Sequence, residues 1–190
     1  MFILLFIVLV NFVGLGALIP IIPFAVTQVT GASETLLTLL LAEFALASFL
    51  FNPVWGRLSD LFGRKLILIV SLFISSIAQI WFALSDDLLI MFLSRAIAGA
   101  ASGNIGVIQA IIADSTNKED RAKNMGYLGA AIGLGFIFGP ILGAFASSFS
   151  ESVHTGPFLI AGVFSFSAML FTAHQRGSYL RRTRCICGAV

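Results

Sequence analysis

This sequence is short of charge. Charged residues make up 11% of its 190 residues, where a soluble domain carries about 25%. A chain so poor in charge lacks the polar surface that a water-soluble fold needs. Cysteine is scarce as well. The two present, Cys185 and Cys187, give no disulfide framework. With no other ligand cluster in the sequence they read as incidental thiols, and no metal site is expected. The only histidines, His154 and His174, lie at a loop and a span end. No nucleophile–base pair or paired carboxylate site accompanies them, so the sequence argues against an enzyme. The formal net charge is +2, too small and too scattered to suit nucleic acid. There is no N-x-S/T glycosylation site.

What the chain has is apolar length. Hydrophobic residues reach 58% and the mean hydropathy is +1.02. An apolar run of about 20 residues crosses a bilayer core of roughly 30 Å as a helix. Six such spans are expected, at 1–24, 35–56, 66–84, 88–113, 125–147 and 157–174. The first has no basic n-region and continues through Pro20 and Pro23, unlike a signal peptide. The fold class that follows is an all-α membrane protein of six transmembrane helices, with the lipid bilayer as its solvent.

The basic residues sort by loop. Arg57, Arg64 and Lys65 follow span 2; Lys118, Arg121 and Lys123 follow span 4; Arg176, Arg181, Arg182 and Arg184 follow span 6. Only Arg95 lies inside a span. The loops after spans 1, 3 and 5 hold no Lys or Arg and carry Glu34, Asp86, Asp87, Glu151 and His154. Positive charge is retained on the cytoplasmic side, so both termini are expected there, in a multi-pass protein of the inner (plasma) membrane. A missed or extra span would scramble this division. Spans 1–3 and 4–6 have opposite topology because each unit has an odd number of spans. That is the inverted-repeat plan of many secondary transporters.

One segment stands out: Gly56-Arg57-Leu58-Ser59-Asp60-Leu61-Phe62-Gly63-Arg64-Lys65. Its charges cannot sit in hydrocarbon, so it is expected to form a tight surface loop between spans 2 and 3. It resembles the G-x-L-x-D-x-x-G-R-K/R signature of the major facilitator superfamily. That resemblance implies a transporter working by alternating access, built as two six-span bundles of which this chain supplies the N-terminal one. It further implies that Arg64 pairs with Asp114 at the end of span 4. Asp60 would meet a helix of the second bundle, and these contacts would latch the outward-open state. Read without the resemblance, the same charges form a solvated loop worth only about 0–1 kcal/mol each.

Within the spans, Arg95 carries the highest cost, roughly 2.5–3.5 kcal/mol at mid-helix unless paired or watered. It precedes a small-residue face, Gly99, Gly103 and Gly106, which suggests burial against a neighbouring helix. The alternative is snorkelling to the interface. The stretch resembles the span-4 signature of the family, which implies that Arg95 assists proton transfer. In span 5, Gly135, Gly139 and Gly143 recur every four residues and Pro140 removes a backbone donor and bends the helix. Helix packing accounts for the glycines. The string Gly135 to Ala144 also resembles the G-x-x-x-G-P-x-x-G-G signature of the drug/proton antiporter branch, with Ala144 in place of the last glycine, and this implies export. Gly133-x-Gly135-x-x-x-Gly139 has the wrong spacing for a dinucleotide fingerprint.

Span 1, from Asn11 through Gly14 and Gly16 to Pro20 and Pro23, resembles the first helix of tetracycline-type efflux proteins. Those commonly carry an acid where Asn11 stands, and Asn cannot carry a proton. Glu43 is the remaining intramembrane acid. It either exchanges a proton during transport or lies near the outer interface. Asn11, Glu43 and Gln109 are candidates for the solute path, and Gln79 and Asn104 are further polar residues in spans.

The function expected is proton-coupled efflux of a small drug-like solute, with the proton gradient as energy source and no bound cofactor. The small-molecule solute and protons are the expected partners, together with a second six-helix bundle. A metabolite or sugar facilitator and a non-transporting half-transporter are the rival readings. The resemblance fades after Ala173. Residues 175–190 read as a basic cytoplasmic tail, and a truncated or frameshift-derived form is expected there.

Overall fold

A computed structural model describes residues 2–18, 22, 34–85, 87–148 and 155–174. The loops expected around Pro20, Pro23 and Glu151 and the tail expected at 175–190 lie outside the described residues. Seven helices account for the rest: α1 (Phe2–Leu18), α2 (Glu34–Phe62), α3 (Arg64–Ala83), α4 (Leu88–Ala101), α5 (Asn104–Ser115), α6 (Lys118–Ser147) and α7 (Thr155–His174). No strand occurs among the described residues. In hydrocarbon every backbone polar group must be satisfied within its own segment, which leaves the helix as the available form for such apolar runs.

Three features differ from the sequence expectation. The charged segment after span 2 is mostly helix, because α2 runs on to Phe62. Charge excludes a residue from hydrocarbon but not from a helix that projects beyond it. The turn itself reduces to Gly63, whose φ of 96° and ψ of 134° fall where glycine alone is comfortable. Span 4 is broken: α4 stops at Ala101, Ser102 and Gly103 form a turn, and α5 restarts at Asn104. The helix of span 5 begins at Lys118, earlier than expected, and continues through Pro140.

The packing is two-fold in pattern. α1 packs against α6 and α7, α2 against α4, and α3 against α4 and α7. In span numbers these are 1 with 5, 1 with 6, 4 with 2, 4 with 3, and 3 with 6. Exchanging spans 1, 2 and 3 for 4, 5 and 6 maps this set onto itself, as two inverted three-helix repeats require. Glycine sets the closest approaches. Gly16 on α1 faces Gly135 and Gly139 on α6, and Gly99 on α4 faces Phe44 and Ala47 on α2.

The core has two apolar ends with a polar layer between them. Ile7, Val8, Leu68, Leu72, Ile111, Ile112, Leu128 and Ala168 pack at the end where the basic residues gather. Leu18, Leu40, Phe82, Met91, Phe158 and Ala161 pack at the far end. Asn11, Ser75, Gln79, Asn104 and Ser165 fall between these groups along their helices, at mid-depth.

Candidate functional site

A cavity of about 420 Å³ opens in the polar layer, within the range of small-molecule pockets. Helices of both repeats line it. α1 contributes Asn11 and Phe12, α2 Phe44, Ser48 and Asn52, and α3 Ser75 and Gln79. Span 4 contributes Arg95 and Ala98 before its break, and Ser102, Asn104, Ile105, Gly106 and Gln109 at and after it. Of the sequence candidates, Asn11, Arg95 and Gln109 therefore meet at one space. Glu43 does not line it, although its neighbour Phe44 does.

The break in span 4 gives the cavity its polar wall. A helix that stops inside a membrane leaves carbonyls without partners. Here the Trp55 indole N–H donates to the Ala100 carbonyl. Ser102 turns its hydroxyl back on the Gly99 carbonyl at 2.7 Å and also hydrogen-bonds Ser48 on α2. Gly103 makes room for Trp55, whose ring occupies the place where a Cβ would be. At the other side of the break, Asn104 donates to Asn11 Oδ1 at 3.4 Å. Asn11 Nδ2 in turn donates to Ser165 Oγ at 3.3 Å. Asn11 thus joins α1, α5 and α7 through neutral hydrogen bonds.

Arg95 is 3% exposed, so its side chain does not snorkel. Its guanidinium carbon lies 4.7 Å from the Phe82 ring centroid and 4.8 Å from that of Phe158. Those two rings stack on each other with centroids 4.0 Å apart. A group equidistant from both flanks the stack and cannot lie over both faces at once. Nε and Nη2 are buried with no hydrogen-bond partner. Glu43 Oε2 and Gln79 Oε1 are likewise buried and unpartnered.

The second cluster lies at the basic end. Arg64 Nε meets Asp114 Oδ2 at 2.8 Å, and its Nη2 meets Asp60 Oδ1 at 3.1 Å. Lys65 Nζ donates to the Ala173 carbonyl at 3.1 Å, and Arg121 Nη2 to the Ala113 carbonyl at 2.8 Å. These cations sit on the C-terminal carbonyls of α7 and α5, where the helix dipole favours them. Together they tie the ends of α3, α5, α6 and α7. The Asp60 side chain is 64% exposed. A Cβ added at Gly56 would meet nothing within 4 Å.

On span 5, Gly135, Gly139 and Gly143 are buried. Gly135 packs on Phe12 and Gly139 on Gly16 and Ala17, so this stripe with Pro140 forms the seam with α1 and stands behind the cavity wall. Sequence reasoning missed Trp55, Ser48, Asn52, Ser75 and the break itself. A tryptophan and serines within spans were the available signal.

Known proteins share this architecture. The sequence profile of the Major Facilitator Superfamily matches residues 4–181. The quinolone resistance protein NorA of Staphylococcus aureus is 34% identical over 172 residues, covering 90% of this chain and 43% of that protein. The class B tetracycline resistance protein of Escherichia coli is 36% identical over 169 residues, covering 87% of this chain and 41% of that protein. The crystal structure of the human organic anion transporter MFSD10 (TETRAN) superposes with a TM-score of 0.73 at 24% identity, over 90% of this chain and 45% of that one. At that identity the likeness concerns the fold. The chain spans less than half the length of the curated relatives it matches. Five helices or helix pairs, long and apolar enough to cross a membrane, and the shorter α1 fit the same plan. The chain is an integral multi-pass membrane protein and belongs to the major facilitator superfamily.

Proposed function

We propose that this chain forms one half of a proton-coupled exporter of a small drug-like solute, working by alternating access. The observation that carries the reading is the mid-depth cavity walled by both repeats and by the broken fourth span. Broken helices at mid-membrane are where secondary transporters hold their cargo. Relatives named for quinolone and tetracycline resistance support a small drug-like solute. The proton gradient is the energy source, and no bound cofactor enters the cycle. A second six-helix bundle closes the cavity's open side and completes the solute path.

The remaining residues take roles within that cycle. Arg64, held by Asp114, latches the basic end, and the exposed Asp60 meets the second bundle there. The distribution of Lys and Arg supports a cytoplasmic basic end. Gly135, Gly139, Pro140 and Gly143 let α1 and α6 shear closely. Arg95 and Glu43 are the ionisable groups within spans that proton transfer would use.

The test is accumulation of tetracycline in inverted membrane vesicles carrying this chain together with the second bundle of the class B tetracycline resistance protein. Accumulation that needs the pH gradient and stops with nigericin is expected. Accumulation indifferent to the gradient refutes proton coupling and leaves a facilitator. No accumulation, with the two halves shown to assemble, refutes drug export.

A further inference from the structure

We infer that the cavity holds a subsite for a carboxylate beside Arg95, so that the solute is an organic acid or a zwitterion presenting its acid group there. The inference rests on the proposed solute cavity and names the class of solute it takes.

Arg95 lines the cavity and is buried, with Nε and Nη2 both lacking a partner. A guanidinium in that state is a standing demand for an acceptor, because a buried donor without one bears its full desolvation cost. The protein does not meet the demand. Among the described residues, no Asp or Glu lines the cavity. Both ion pairs among the described residues lie at the basic end, on Arg64. Glu43, on α2, has a buried unpartnered oxygen of its own and forms no pair with Arg95. The flanking rings of Phe82 and Phe158 offer no lone pair.

One other part of the wall adds to the same preference. α5 opens on the cavity with Asn104, Ile105 and Gly106, and its N-cap, Gly103, supplies no side-chain cap. A helix N-terminus favours negative charge. A cationic solute would be repelled by Arg95, and a neutral one could offer it only uncharged acceptors, which bond a guanidinium more weakly. A carboxylate accepts from guanidinium donors in matched planar geometry with charge-assisted hydrogen bonds. Phe12 and Phe44 supply apolar walls for the body of the solute.

The experiment uses the full 190-residue chain in nanodiscs of zwitterionic lipid, with equilibrium dialysis of two radiolabelled probes of one shape, 1-naphthoate and 1-naphthamide. The acid is expected to bind about 10–100-fold more tightly than the amide. Arg95→Gln is expected to abolish the acid's advantage, so that acid and amide bind alike. Arg95→Lys keeps the charge and is expected to retain part of the preference, which guards against a misfolded glutamine variant. Ala98→Phe, filling the cavity, is expected to remove both probes. Equal binding of acid and amide to the unsubstituted chain overturns the acid subsite and leaves the solute cavity standing. An acid preference that survives Arg95→Gln also overturns it, by placing charge recognition elsewhere. Failure of both probes to bind overturns the subsite and the cavity reading together.

Discussion

Consider adding one methyl group to Gly139. A Cβ there would lie 2.6 Å from the Ala17 nitrogen and the Gly16 carbonyl carbon, and 2.7 Å from Gly16 Cα. Carbon atoms prefer about 3.5–4.0 Å, so the seam between α1 and α6 must open by roughly 1 Å. No rotamer change relieves the clash, because the atoms in the way are backbone. Overpacking of this kind costs about 1–3 kcal/mol. Alanine also gains about 0.5–1 kcal/mol over glycine within a helix, which partly hides the loss. Gly133→Ala on the same helix isolates the steric part. A Cβ at Gly133 meets nothing within 4 Å, so this variant gains the helix preference alone. The assay is unfolding by SDS titration in mixed micelles, followed by far-ultraviolet circular dichroism. Gly139→Ala is expected to be less stable than Gly133→Ala by about 1–3 kcal/mol, the overpacking cost. Equal stability of the two variants would show that the seam is not closely packed, and the reasoning would fail.

Two further predictions concern the basic end. Gly63→Ala is expected to destabilise by about 1–3 kcal/mol through backbone strain alone, since a Cβ there touches nothing within 4 Å. Gly56→Ala, within α2 and equally open, is expected to be neutral or stabilising in the same titration, and identical behaviour would contradict the positive φ. A double-mutant cycle of Arg64→Gln with Asp114→Asn is expected to give a coupling of about 0.5–1 kcal/mol. The pair is partly exposed, with side chains 21% and 35% accessible, so the coupling should shrink as salt is raised. A coupling absent even at low salt would remove the pair from the latch.

The spans were legible because hydrocarbon and charge act on composition, which a sequence displays directly. Arg64 and Asp114 were paired through the family's pattern, and the structure places them 2.8 Å apart. The break after Ala101 was not legible. Gly103 read equally well as a small packing residue, and what permits the break is Trp55 from a distant part of the chain. The partners of Arg95 were hidden for the same reason: Phe82 and Phe158 reach it from other helices. The extension of α2 was misread because charge was taken to end a helix, when it ends only the part within the membrane. Asn11 was noticed for the proton it cannot carry. Its bonds to Asn104 and Ser165 depend on a convergence of three helices that no local pattern records.

The polar layer also bears on how the chain is made. A spanning segment enters the bilayer during synthesis according to its own residues, before its later neighbours exist. On that scale an arginine at mid-span offsets the favourable contributions of about six leucines or isoleucines. Span 4 carries Arg95 together with Asn104 and Gln109, so it enters with little to spare. Phe158, which flanks Arg95, and Ser165, which bonds Asn11, both belong to α7. Those contacts form only once α7 has left the ribosome. Until then the guanidinium has only Phe82 of the two rings beside it, and Asn11 has Asn104 but not Ser165. The five-span intermediate is therefore the species most exposed to membrane quality control, and arrival of the sixth span is the step that retires that hazard.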